Sequence, residues 1–146
     1  MRAKNFFNLQ QQKNIVDAIS SAELNTSGEI RLHLVDTTKN DVYQEAVSVF
    51  ESLEMTKTEQ RNGVLIFLAV RDKKFAILGD KGINDIVPVD FWDSVRDEMI
   101  SFFKKHDFEQ GIIAGITAVG EKLKAHFPYA KDDENELSNE ISFGEK

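Results

Sequence analysis

The residues best suited to chemistry in this 146-residue sequence are carboxylates set between glycines, in Gly79-Asp80-Lys81-Gly82-Ile83-Asn84-Asp85. Glycine permits backbone conformations and close approaches that side chains forbid, so such a loop can present acidic groups at short range. Asp80 and Asp85, joined by Glu29 and Asn62, offer hard oxygen donors of the kind that calcium or magnesium takes. The loop is not an EF-hand: it lacks that motif's carboxylate spacing and closing glutamate, and Lys81 brings positive charge to the place of the cation. A turn with solvated carboxylates is the competing reading.

Other chemistries find less support. Gly79-Asp80-Lys81-Gly82 lacks the spacing of a P-loop, and no Lys-Ser or Lys-Thr pair opens a helix there. His33, His106 and His126 are dispersed, and the chain has no cysteine, which excludes disulfides, thiolate zinc sites and cysteine nucleophiles. Ser27 and His33 make no triad, because the strand direction separates them and no nucleophile elbow surrounds the serine. The net charge of −7, from 18 Lys and Arg against 25 Asp and Glu, works against a nucleic-acid partner and against anionic membranes. No cofactor is predicted beyond a calcium or magnesium ion.

Glu29, Asn62, Asp80 and Asp85 meet only if the elements that carry them are ordered suitably. Leu9, Ile15, Val16, Ile19 and Ala22 predict a helix from about Asn8 to Leu24 with one narrow buried stripe, ended by Asn25-Thr26-Ser27-Gly28. Glu29 to Asp36 alternates as a strand, with Ile30, Leu32 and Leu34 on one face. Asp41 is the expected N-cap of a helix through Leu53. Val64 to Val70 is apolar throughout and reads as a central strand covered on both faces, and Lys73 to Leu78 returns antiparallel to it. Pro88 and Asp90 signal a helix carrying Phe91, Val95, Met99, Phe102 and Phe103, and Phe108 to Phe127 is another, stopping before Pro128. Gly111 and Gly115 on the last helix point to close packing on the sheet.

This order predicts an α/β domain with helices layered on a small mixed central sheet: a β-α-β unit plus a β-hairpin, followed by two helices. With the first two strands parallel and the third antiparallel, Gly28, Glu29, Asn62, Gly79 and Asp80 fall along one sheet edge. Asp36 and the Arg71-Asp72 turn fall at the other, where the carboxyl ends of parallel strands usually receive ligands.

A chain of this length makes one domain, and its apolar content of 41% and charged content of 29% are ordinary for a globular protein. Residues 1–128 form the expected domain. Residues 129–146 hold six acids and few apolar residues and are expected to be a mobile tail, unless Leu137, Ile141 and Phe143 dock its end or add a short edge strand. No secretory signal and no apolar run of about 20 residues are seen, so a cytoplasmic location and no direct membrane insertion are expected.

Thr26-Ser27-Gly28-Glu29-Ile30, Ala46 with Phe50, Asn62-Gly63-Val64-Leu65-Ile66, the later glycine loop and Phe108-x-x-Gly111-Ile112 resemble the TPM domain family, over about Ile15 to Phe127. That family includes thylakoid-lumen proteins linked to photosystem II repair and many bacterial proteins. The resemblance implies an α/β sandwich and association with assembly or quality control of membrane protein complexes. Calcium binding and weak acid phosphatase activity are attributed to a plant member. Glu29, Asn62, Asp80 and Asp85 sit in motif positions, and no catalytic nucleophile maps onto this chain. The expectation is a soluble domain that binds an unknown protein partner as an assembly or quality-control factor, with a divalent cation. The alternative is a weak divalent-metal-dependent acid phosphatase.

Overall fold

Seven consecutive buried residues, Gly63–Ala69, form a strand that receives a neighbour on each side. In the chain order used below the computed structural model, which describes residues 2–39, 41–129 and 137–144, names this strand β2. On one side it pairs in parallel with β1 (Glu29–Val35), from Glu29↔Gly63 to Val35↔Ala69. On the other it pairs antiparallel with β3 (Lys74–Gly79), from Val64↔Gly79 to Ala69↔Lys74. A two-residue strand, β4 (Ser142–Phe143), lies parallel to the outer side of β1, giving the order β3-β2-β1-β4. The expected mixed sheet is therefore present, and the side-chain alternation of each strand divides the core into two layers.

Ile30, Leu32 and Leu34 of β1, Val64, Ile66 and Leu68 of β2 and Ile77 of β3 share one apolar cluster. It is closed by α2 (Leu9–Glu23), α5 (Asp93–Phe103) and α6 (Phe108–Lys124), through residues such as Ile15, Ile19, Val95, Met99, Ile112 and Ile116. Leu65, Phe67, Ala69, Ala76 and Leu78 face the other way, toward Ala46 and Phe50 of α3 (Val42–Ser52) and the following Met55. With both faces covered, β2 can be apolar at every position, whereas a one-sided strand would have to alternate.

Local signals explain most helix ends. Asn8 and Gln11 form a reciprocal capping box at the start of α2, and Asp41 accepts from Tyr43 N at α3. The helix expected after Pro88 begins later, at Asp93. Phe91 N and Asp93 N bond to Pro88 O and Asp90 O, which folds the intervening residues into turns before the helical ladder starts. The glycine pair on α6 has a different neighbour from the one expected. A Cβ at Gly111 would lie 2.4 Å from Phe103, and one at Gly115 2.5 Å from Met99 Sδ. The close approach is therefore to α5, not to the sheet.

Two four-residue helices, α1 (Ala3–Phe6) and α4 (Lys81–Asn84), are too short to leave a periodic pattern. At the far end of the chain, residues 137–144 return to the domain, with Ile141 and Phe143 against the larger apolar cluster. These residues follow the docking alternative raised for the end of the tail: their few apolar side chains reach the core, and Ser142–Phe143 adds the short edge strand. Residues 130–136, with most of the tail's acids, lie outside the described residues. No helix among the described residues is long and apolar enough to cross a membrane.

Candidate functional site

The β2–β3 register brings Gly79 opposite Val64, so Asp80 arrives beside the segment that leads into β2. Asp80 is only 5% exposed, and a carboxylate at such a place needs charged or hydrogen-bonded partners. It has three. Arg61 donates through Nε to Oδ2 at 2.8 Å and through Nη2 to Oδ1 at 2.9 Å, a two-pronged guanidinium–carboxylate pair. Lys81 N donates to Oδ1 at 2.7 Å, which makes Asp80 the N-cap of α4. The hydrogen bonds to Asp80 raise the pKa of Arg61 above its usual value.

Arg61 adopts a left-handed backbone, with φ of 52°, and two contacts hold it there. Asp80 fixes its side chain, and its carbonyl accepts from Gly82 N at 2.8 Å. Only glycine fits at position 82. An added Cβ would lie 2.1 Å from Gln60 O and 2.6 Å from Arg61 O, both backbone atoms. The glycine loop thus clamps the entry to β2.

The remaining predicted donors have other partners. Asp85 is exposed and forms an ion pair with Lys81 at 2.7 Å, four residues apart on one helical turn. Glu29 belongs to the predicted sheet edge, opposite Gly63, but its Oε1 accepts from Leu137 N at 3.1 Å. Met55 O and the Leu137 side chain lie over Gly63, the residue between Glu29 and Asp80 in the sheet. Asn62 is buried, its Nδ2 donating to Ser27 Oγ at 3.3 Å, and its Oδ1 is buried with no hydrogen-bond partner among the described residues. The edge placement predicted for Glu29, Asn62 and Asp80 is present, but the three side chains do not share one cage. Among the described residues no group of three His, Asp or Glu is placed to hold a metal ion.

At the opposite edge, Asp36 accepts from Ala3 N at 2.6 Å and Asp72 from Thr38 N at 2.8 Å. Both carboxylates anchor backbone amides.

Sequence reasoning missed two participants. Arg61 immediately precedes the recognised Asn62-Gly63 step, but no sequence pattern marks its pairing, which follows from the burial of Asp80 on the same edge. Glu23, at the end of α2, accepts from Ile30 N at 2.8 Å through Oε2. Burial pushes its carboxyl up to about 8, with the charge of Glu29 adding to the effect against hydrogen bonds from Ile30 and Asn139. No sequence pattern marks this residue, because its environment comes from the tertiary meeting of α2, β1 and the chain end.

Beside the Asp80–Arg61 pair, α3 and α4 leave a groove of about 390 Å³. Val47, Phe50 and Leu78 supply its apolar lining, and Glu51, Arg61, Lys81 and Asp85 its charged groups. Residues 1–122, most of the chain, match the TPM domain family. The chain belongs to the TPM domain family. Its fold is similar to the solution structure of BA42 from the psychrophilic bacterium Bizionia argentinensis, at 51% identity and a TM-score of 0.91, over 95% of this chain and 96% of that one. At 13% identity this TPM domain has the fold of the N-terminal domain of a protein from P. gingivalis, with a TM-score of 0.68 and coverage of 85% and 82%. The N-terminal domain of cg2496 from Corynebacterium glutamicum gives a TM-score of 0.65 at 12% identity, over 97% and 82%. No curated protein matches the sequence.

Proposed function

We propose that this TPM domain is a protein-binding module of the assembly or quality-control type, and that it receives its partner in the groove between α3 and α4. The observation that carries this reading is the composition of the groove: an apolar lining at Val47, Phe50 and Leu78 with charges of both signs around it. Such a surface suits a peptide segment that buries an apolar side chain and pairs its own charges at the rim. Arg61 is held in place by Asp80 while 44% of its side chain stays exposed, so a charged rim group is presented without further ordering.

A divalent cation is the second reading: Glu51, Asp80 and Asp85 line this one groove, although among the described residues no three carboxylates are placed to hold an ion together. For calcium or magnesium to reach Asp80, Arg61 must leave its carboxylate, and Lys81 must release Asp85. A phosphatase would add activation of water by that ion. Two measurements separate these readings. Affinity capture with the wild-type chain, with Arg61→Glu/Lys81→Glu and with Lys13→Glu is expected to recover a partner on the first and last only. Equal recovery on all three sinks the groove. Hydrolysis of a phosphate ester that needs magnesium and disappears in Asp80→Asn would put the enzyme in place of the binding module, whereas millimolar calcium or magnesium without heat or a change in Tm removes the cation.

A further inference from the structure

The outer edge of β1 is filled by parts that do not make a continuous strand. The seven residues of β1 all pair with β2, but β4 meets only two of them, at His33↔Ser142 and Leu34↔Phe143. Beyond those two residues side chains stand in for a ladder, and a backbone bond at the end of β4 continues the pairing at Leu34. Glu23 Oε2 accepts from Ile30 N at 2.8 Å, Ser142 Oγ donates to Leu32 O at 3.3 Å, and Gly144 N donates to Leu34 O at 2.8 Å. An exposed row of backbone groups is a template for another strand, and here the described residues cover the row only in part.

The docked segment also underfills its place. Ile141 and Phe143 pack against the core yet stay half-exposed, and a cavity of about 300 Å³ separates them from Gln12 and Val16 of α2. On the other face, Ser142 Oγ lies 2.7 Å from His33 Nδ1. Gly144 is held to its size, since a Cβ there would lie 2.5 Å from Val35 Cγ1. The four positions therefore have distinct requirements: apolar, small hydroxyl, apolar, glycine.

We propose that the outer edge of β1 is a strand-acceptor site, occupied in cis by residues 137–144, for an extended partner segment of this pattern running parallel to β1. A partner with a longer side chain at the Ile141 position would fill the cavity beside α2, and one more extended residue would continue the ladder toward Ile30. Main-chain bonds then supply affinity and the alternating side chains supply selection. This site lies across the sheet from the Arg61 groove, so either can fail without the other.

A fluorescein-labelled peptide of residues 137–146 serves as the partner segment, titrated into the full-length wild-type chain and into Gly144→Val. The valine clashes with Val35 and releases the cis occupant, so the variant is expected to bind the peptide at least tenfold more tightly than wild type. Equal binding, or none by a variant with the wild-type circular dichroism spectrum, overturns the proposal. Hydrogen exchange of the wild-type chain needs no variant and decides the matter if Gly144→Val does not fold. The amides of Leu137 and Gly144 are expected to exchange at least a hundredfold faster than those of the β1–β2 ladder, and exchange in step with that ladder overturns displacement. A wild-type dimer that grows with concentration and is lost in Gly144→Val would assign the edge to exchange between copies, against a foreign partner.

Discussion

Glu23 and His33 show how burial gives individual residues of this protein their chemistry. Glu23 is an ordinary helix-end glutamate in the sequence, but burial raises its pKa to about 8, aided by Glu29. His33 is buried against Phe67, and burial, then the nearby Arg31 charge, lowers its pKa to about 4. The two act on stability in opposite directions. The folded state holds the Glu23 proton where the unfolded chain has lost it, so stability falls as pH rises from about 4.5 to about 8. His33 stays neutral in the folded state where the unfolded chain is protonated, so its contribution makes stability rise from about pH 4 to about 6.5. Between about 4.5 and 6.5 the two slopes offset each other, leaving the Glu23 decline visible from about 6.5 to 8. Glu23→Gln keeps an acceptor for Ile30 N and removes the titration. Its Tm is expected to stay level across that upper interval while the wild-type value drops, by an amount whose ceiling is about 1.4 kcal/mol per pH unit. Parallel pH profiles for the two proteins would show that Glu23 titrates as an ordinary glutamate.

At the scale of elements, periodicity made α2, α3, α6 and the first three strands legible, since each holds its pattern across several residues. Short or irregular elements left no such record. Helix α4 has four residues and is defined by its Asp80 cap and by the Gly82 contact with Arg61, and α5 starts only after the turns at Pro88 and Asp90. Neither α4 nor the turns before α5 have a hydrophobic period, whereas the body of α5 was marked by Val95, Met99 and Phe103. The glycines of α6 were visible, but their partner was not, because helix-on-helix and helix-on-sheet packing both call for a missing side chain. Contact with Met99 leads to a direct test. Gly115→Val places a branched side chain where even a Cβ would be 2.5 Å from Met99 Sδ, and overpacking of this kind typically costs about 1–3 kcal/mol. Urea denaturation should show that loss as a lower midpoint with an unchanged slope. An unaltered midpoint would mean that α5 and α6 do not pack through this glycine.

For the whole molecule, the net charge of −7 belongs to the composition and survives any arrangement of the chain. Binding to a nucleic-acid backbone draws its affinity from released counterions, which a surface of this charge opposes. No retention of the chain on duplex DNA at about 0.15 M salt is expected in a mobility-shift titration, and a salt-sensitive complex at micromolar protein would overturn that expectation. Length, charge, the order of the long elements and the membership suggested by Thr26-Ser27-Gly28-Glu29-Ile30 and Asn62-Gly63-Val64-Leu65-Ile66 were all determined by the sequence alone. These are properties of composition or of near neighbours along the chain. The edge shared by Glu29, Asn62 and Asp80 was also within its reach, since strand order and direction follow from the β-α-β-hairpin succession. What each side chain bonds to there was decided only by the tertiary structure: Arg61 on Asp80, Leu137 on Glu29, Ser27 at Asn62. The same holds for the docking of residues 137–144 on β1. Those contacts join residues from 19 to 110 positions apart, and their geometry depends on which face and which neighbour each side chain meets once the layers close.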